Sequence, residues 1–239
     1  MRFALIKADY VNDELLATHG DLPDMFGRFF TGVALDVYEA RHHHLPDPEH
    51  YDACVVTGSR YSVNDDRAWV HDLLSFLRNT VAGRKSVVVG FCFGHQALAK
   101  ALGGRVGRGP CDWNVGVWPV GGVRGPLAPP RVLHALFNHR EQVVEPPPGA
   151  EVVAGTDRCP VQMFAIGNRV LGLQFHPEYT LAYQEAIMGV AQGIPAEVVK
   201  DAQHRNRASP RNDEIARTWV LDLAMRHHRG QCRAQGAGP

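Results

Sequence analysis

The sequence predicts an α/β protein with a mostly parallel central sheet, flanking helices and an antiparallel extension drawn from the middle of the chain. Three observations lead to that class. Short apolar runs rich in β-branched residues alternate with helix-like stretches through the first half, which is the pattern of βαβ units. One run, Val87-Val88-Val89, passes through a glycine-flanked turn into a helical stretch. From about Val115 to Phe175 the apolar runs shorten and are separated by Gly/Pro clusters, which suits hairpins. The 239 residues, 45% hydrophobic and 21% charged, are enough for one domain with a buried core. We read that domain over residues 1–229, with a frayed tail over 230–239.

Taken in order, Phe3 to Ile6 is the first strand, and a polar, mobile segment containing Asn12, Asp13 and Glu14 follows. Leu22, Met25, Phe26, Phe29 and Phe30 recur on one helical face and predict a crossover helix. Val33 to Val37 and Ala53 to Val56 read as buried strands. The loop between them holds His42-His43-His44, Pro46 and Pro48, and its prolines oppose regular structure. Asp65 to Leu77 reads as a helix capped by Asp65 or Asp66, with Trp69, Leu73, Phe76 and Leu77 at helical spacing before Gly83. Ser86 to Val89 is the central strand. Arg131 to Phe137, Glu151 to Ala154 and Val161 to Ile166 are short strands, and Gly121 to Pro130 and Pro146 to Gly149 are turns between them. Beyond His176 the pattern is helical, with Ile215, Trp219 and Leu223 as one apolar stripe.

Composition excludes several function classes. Lys+Arg and Asp+Glu both number 25, so no global field attracts nucleic acid or an anionic membrane. No apolar run approaches the ~20 residues of a membrane span, and the N-terminal one is too short for a signal sequence. A cytoplasmic protein is the expectation. The five cysteines, Cys54, Cys92, Cys111, Cys159 and Cys232, are odd in number and never paired as C-x-x-C, which suggests neither a disulfide scaffold nor a zinc cluster. Neither His42-His43-His44 nor His227-His228 has metal-ligand spacing; no metal and no cofactor are expected.

The segment Val87 to Ala99 carries the strongest chemical signal. A buried strand runs into a helix through Gly90-Phe91-Cys92-Phe93-Gly94, the arrangement of a nucleophile elbow, in which small residues flank a nucleophile held in a strained backbone conformation. At a helix N-terminus the unpaired amides favour a thiolate, and the Phe93 amide can bind an oxyanion. Cys54, inside an apolar strand, reads instead as an inert core thiol, as do Cys111, Cys159 and Cys232. A thiolate nucleophile needs an acid/base group and something to orient it. Gly172-Leu173-Gln174-Phe175-His176-Pro177-Glu178 offers both: a strand delivers His176, Pro177 stiffens the turn, and Glu178 can turn back to accept an imidazole N–H. Among 13 histidines a lone His-Pro-Glu means little; its pairing with the elbow makes the constellation.

These residues resemble the class I glutamine amidotransferase family, the Cys-His-Glu triad amidotransferases. Gly90-x-Cys92-x-Gly94-x-Gln96 looks like the family's nucleophile motif and His176-Pro177-Glu178 like its second motif. Thr57-Gly58-Ser59 resembles the upstream oxyanion loop, where Gly-Gly-Pro is commoner, and Asn138-His139-Arg140-Glu141 resembles a segment that often reads Ser-His-x-Asp. The resemblance runs from about Phe3 to Tyr179. It is greatest to free-standing, GMP-synthase-like members, including γ-glutamyl peptidases, through Thr57-Gly58-Ser59, Phe91 to Gln96 and Trp113-Asn114-Val115-Gly116.

The resemblance implies a flavodoxin-like sheet with the site at the carboxyl ends of its strands. It implies that Cys92 attacks a γ-carboxamide or γ-glutamyl bond to form a thioester, that His176 protonates the leaving amine, oriented by Glu178, and that the amides of Gly58 and Phe93 form the oxyanion hole. Gln96 and His139 take substrate-binding positions by the same resemblance, although Glu141 stands where Asp is usual. His95 reads as a locally packed residue. Three functions stay open: a stand-alone hydrolase of glutamine, a γ-glutamyl peptide or a related γ-glutamyl amide, a glutaminase handing ammonia to a separate synthetase partner, and a non-catalytic regulatory or binding protein on the same fold. No ATP-pyrophosphatase P-loop is present in the sequence, so ammonia transfer in cis is not expected. A relationship to the cysteine-elbow chaperones and proteases fits less well, because Phe93 stands where they place histidine.

Overall fold

The computed structural model describes residues 1–84, 86–123, 127, 132–191, 193–209 and 211–235, with side chains as far as 227. Its centre is a seven-stranded sheet built from β1 (Arg2–Lys7), β2 (Ala34–Glu39), β3 (Ala53–Val56), β4 (Val87–Phe91), β9 (Glu151–Ala154), β10 (Met163–Ile166) and β11 (Val170–Leu173), in the order β2-β1-β3-β4-β11-β10-β9. Pairings from β2 to β11 are parallel, and β11–β10 and β10–β9 are antiparallel. β4 is the central strand.

The period-2 alternation of the strands divides the core. Ala4, Ile6, Cys54, Val56 and Val88 face α3 (Ala68–Gly83) and α4 (Phe93–Ala101), while Phe3, Leu5, Val55, Val87, Val89 and Phe91 face α2 (Leu22–Phe29) and α7 (Ile215–Gln235). Eight phenylalanines are fully buried, each contributing about 1.5–3 kcal/mol of transfer free energy. The register places Ile6 beside Val56, Val56 beside Gly90 and Gly90 beside Gly172. The residues just past these positions, Thr57 onward, Cys92 and Gln174 to Glu178, therefore emerge side by side at one edge of the sheet.

That edge is covered by two ribbons: β6 (Asn114–Val120) with β7 (Leu133–His139), and β5 (Arg105–Arg108) with β8 (Glu141–Glu145). They are separate two-stranded sheets, so only β9 and β10 form the antiparallel extension expected from the sequence. α5 (Leu181–Val190) and α6 (Ala196–Ala208) follow the last strand, and Ala202 of α6 packs on Val115 of β6.

Four local expectations are corrected. The segment after β1 forms α1 (Asp13–His19), which buries no residue and so left no apolar stripe to detect; Asp13 and Glu14 in its first turn suit the helix dipole. β2 is an edge strand with no fully buried residue, because nothing pairs its outer side. α3 begins at Ala68 without a side-chain cap; Asp65 instead accepts from Ser62 N and Arg67 Nε, both at 3.3 Å, and closes the preceding turn. The buried face of α7 runs through Ala216, Trp219, Val220 and Ala224, with Ile215 and Leu223 at its margins. α7 continues to Gln235, into the stretch read from sequence as a tail, and residues 236–239 lie outside the described residues. Most of Gly121 to Pro130 lies outside them too.

Candidate active site

Cys92 is the single residue between β4 and α4. Its backbone has φ +48° and ψ −101°, a left-handed conformation that side chains avoid and that costs on the order of 1–3 kcal/mol unless the surroundings enforce it. They do. The Cys92 N–H donates to Leu173 O at 2.8 Å, and its carbonyl accepts the first turn's Gln96 N–H at 3.0 Å. The turn is possible only with small neighbours: a Cβ on Gly90 would run into the Gly94 carbonyl, and one on Gly94 into the Val56 carbonyl of β3. The Phe93 amide belongs to the first turn of α4, where helices have unpaired donors.

His176 lies past β11, 2% exposed. Its backbone N–H donates to Leu136 O of β7 at 2.8 Å, its Nδ1 sits 2.8 Å from Glu178 Oε1, and the Tyr179 ring stacks on it at 4.0 Å and 7°. Burial alone would strip its proton, but the charges on Cys92 and Glu178 and the hydrogen bonds to both outweigh that and push it up to about 10. The imidazole is thus protonated at neutral pH. Glu178 is itself buried, with Oε2 unpartnered.

Gly58 closes the group. A Cβ there would lie 2.8 Å from His176 Cε1 and 3.7 Å from Cys92 Cβ, so only glycine brings this backbone against both side chains. The loop is held by hydroxyls: Thr57 Oγ1 accepts Ala8 N–H at 3.0 Å, and Ser59 Oγ donates to Ala8 O at 3.2 Å.

Gln96 and His139 meet on one acceptor. Gln96 Nε2 donates to Glu141 O at 2.7 Å and to Gln174 Oε1 at 3.2 Å, and His139 Nδ1 lies 3.0 Å from the same Glu141 carbonyl. Because a carbonyl only accepts, Nδ1 carries the His139 proton and the buried Nε2 presents a lone pair. Burial, then the carbonyl bond working against it, then the basic neighbours His176, His95 and Arg158 leave His139 low, at about 3. In this state the Gln96 amide protons serve as a strut to the ribbon. The Glu141 carboxylate accepts from Ser62 Oγ and so ties the Gly58 loop to the β7–β8 connection.

Arg60 and Ser62 lie in one of the two loops, Asp9 to Asp24 and Arg60 to Asn64, expected from the sequence to bind substrate; the Tyr179 ring, the Ser62–Glu141 link and the Arg60–Asp9 pair were not foreseen. Arg60 donates from its backbone N and its Nε to Asp9 Oδ2, both at 2.8 Å, and Asp9 is only 4% exposed. Tyr179 could have been suspected from its place beside the His-Pro-Glu turn; the other two join residues 79 and 51 apart and leave no local signal. The remaining buried thiols differ from Cys92 in setting. Burial pushes Cys54 up to about 11 and Cys159 up to about 12, while Cys111 is half-buried. His95 is fully buried against Phe164, and desolvation takes it down to about 3. His42, His43 and His44 are exposed. Among the described residues no cluster of His, Cys, Asp and Glu is placed to hold a metal ion, and no helix is long and apolar enough to cross a membrane.

Comparison with known proteins adds family context to this geometry. Residues 30–188 match the family described as glutamine amidotransferase class-I. Gamma-glutamyl peptidase 5 of Arabidopsis thaliana is 30% identical over 191 residues, covering 74% of this chain and 76% of the peptidase. Gamma-glutamyl peptidase 2 of the same plant is 28% identical over 189 residues, with 74% and 76% covered. The solved structure of a glutamine amido transferase from Methylobacillus flagellatus superposes with a TM-score of 0.68 at 24% identity, covering 96% of this chain and 94% of the other, and so supports the fold. The family match across most of the chain, with an elbow cysteine facing a His-Pro-Glu turn at the carboxyl edge of a parallel sheet, places this protein in the class I glutamine amidotransferase family.

Proposed function

We propose that the protein hydrolyses a γ-glutamyl amide bond, in glutamine or a γ-glutamyl peptide, through a thioester on Cys92. The observation that carries this reading is the convergence of Cys92, His176 and Glu178 with the Gly58 backbone at adjoining strand ends. The Cys92 thiolate attacks the γ-carbonyl carbon, and the carbonyl electrons move onto oxygen, facing the amides of Gly58 and Phe93. Each such donor is worth on the order of 3 kcal/mol. Collapse of the intermediate breaks the C–N bond, and His176, protonated at rest, gives its proton to the departing amine. Water then attacks the thioester carbonyl, His176 takes one water proton, the C–S bond breaks with the thiolate–imidazolium pair restored, and the γ-carboxyl group leaves and gives up its remaining proton to solvent or to the released amine. Glu178 holds Nδ1 throughout and so directs Nε2 at the reacting atoms.

Similarity to two gamma-glutamyl peptidases over three quarters of either chain favours release of the amine to solvent over delivery of ammonia to a synthetase. Gln96 and His139 orient the glutamyl portion, which requires Gln96 to exchange part of its present hydrogen bonding for substrate. The test is glutamate release from glutamine and from a panel of γ-glutamyl peptides by the isolated protein, with Cys92→Ala as control. Cys92-dependent turnover of a peptide above glutamine is the expected result. Preference for glutamine would move the reading to an ammonia donor, and absence of both turnover and a trapped γ-glutamyl adduct on Cys92 would move it to a binding role.

A further inference from the structure

The segment between α6 and α7, beyond residue 188 where the family match ends, reaches back to the catalytic turn. Arg211 Nη1 donates to Tyr179 O at 2.6 Å, and its Nη2 makes a longer contact of 3.5 Å to Pro177 O. These two carbonyls bracket Glu178. The guanidinium is itself gripped by Asp213 through Nε to Oδ1 at 3.1 Å and Nη2 to Oδ2 at 2.9 Å. Between them, Asn212 is pinned to β7: its Oδ1 accepts His134 N at 2.7 Å and its Nδ2 donates to Val132 O at 2.9 Å. Two residues further along, the Leu136 carbonyl of the same strand takes the His176 N–H.

One tripeptide thus touches both supports of the imidazole, the backbone around Glu178 and the strand that holds His176. The turn from His176 to Tyr179 belongs to no helix or strand, so its own ladder does not fix it. Asp213 is 1% exposed, and burying a carboxylate and a guanidinium together gains little stability. A planar fork held on one side and donating to carbonyls on the other does supply fixed geometry. We propose that Arg211, anchored by Asp213, is a positioning residue that sets the Glu178 carboxylate against His176 by fixing the peptide carbonyls on either side of it. This rests on the reading of Cys92, His176 and Glu178 as the reacting group.

The test uses a readout that needs no substrate. The rate of Cys92 alkylation by iodoacetamide, assigned by peptide mass, is followed against pH in the wild type, Arg211→Met, Glu178→Gln and the double variant. Arg211→Met is expected to slow alkylation at pH 7 about tenfold, the usual scale for a group that orients a functional ligand, and to move the profile to higher pH as Glu178→Gln does. The double variant is expected to react no more slowly than Glu178→Gln alone, because the two substitutions break one device. An unmoved profile in folded Arg211→Met, or effects of the two substitutions that multiply, would overturn the proposal. Should Arg211→Met fail to fold, Arg211→Lys keeps the cation beside Asp213 without the fork; a smaller shift, about threefold, is expected, and none would overturn the proposal equally. Glutamate release measured in parallel separates the two claims: wild type that shows the alkylation coupling but turns over no γ-glutamyl amide counts against the substrate class alone.

Discussion

The turn that carries His176 and the ribbon that carries His139 bury their imidazoles to nearly the same extent, 2% and 5% exposed, yet His176 is held protonated to about 10 and His139 stays neutral down to about 3. Desolvation disfavours the cation at both positions. The difference is in what each ring faces: two acidic groups, the Cys92 thiol and the Glu178 carboxyl, in the first case, and a backbone carbonyl with basic neighbours in the second. Burial lowers both rings and prevails at His139; only at His176 do acidic partners outweigh it. One ring is held as a proton donor between two acidic groups, and the other offers a fixed donor and a fixed lone pair.

Removing the partners of His176 tests the contrast most strongly. Cys92→Ala deletes both the proposed nucleophile and one of the two acidic groups beside the ring, and γ-glutamyl turnover is expected to fall at least about 10⁴-fold, read as glutamate release. Glu178→Gln keeps the shape and removes the other acidic group. It should make His176 resemble His139, lowering its titration midpoint and reducing kcat by about 10⁴-fold, the scale seen when the orienting carboxylate of a triad is neutralised; NMR titration of the imidazole checks the first effect and kinetics the second. Gly58→Ala changes no charge but sets a methyl 2.8 Å from His176 Cε1. We expect about a 10²-fold loss in kcat/KM with the His176 titration displaced far less than in Glu178→Gln. Equal displacement in the two variants would break the argument that charge, and not ring placement, sets the His176 proton.

The smallest effect is on stability against pH, and its sign differs between the two regions. For His139, and for His95, the folded state holds the proton less tightly than the unfolded chain does. Stability is therefore full above 6.5 and is lost as pH falls from 6.5 toward 3. For His176 the folded state binds the proton more tightly, so its contribution is full below 6.5 and is lost as pH rises through about 10. Urea midpoints across pH 4 to 10 should fall on both limbs, with His139→Gln flattening the acid limb and His176→Gln the alkaline one. Loss of the wrong limb in either variant would show that the two rings are assigned to the wrong regions.

Much of the fold was readable because its causes are local or periodic. The runs at Phe3, Ala53 and Val87 lie in strands of the central sheet, and Gly90 and Gly94 flagged the elbow because their missing Cβ atoms are a chemical fact of the sequence. The errors have physical reasons. α1 buries nothing, so hydropathy could not reveal it. β2 is apolar in sequence but lies at an edge, and strand neighbours are a property of topology. The ribbons were read as sheet extension because hairpin composition is the same whether or not its outer edge pairs.

At the site, the sequence by itself determined the identities that chemistry requires: a cysteine between glycines at a strand-to-helix turn, a histidine stiffened by proline, a carboxylate two residues on, and a glycine after a buried strand. These are fixed by side-chain composition and backbone sterics over a few residues. Only the tertiary structure decided that Gly58, Cys92 and His176 lie against one another, since the parallel register of β3, β4 and β11 aligns residues up to 118 positions apart. It alone decided which buried imidazole is charged, and it alone brought Arg211 to the carbonyls around Glu178. A titration equilibrium and a hydrogen bond both depend on distance in space, falling off within a few ångströms, and distance in space is what the order of residues along a chain does not contain.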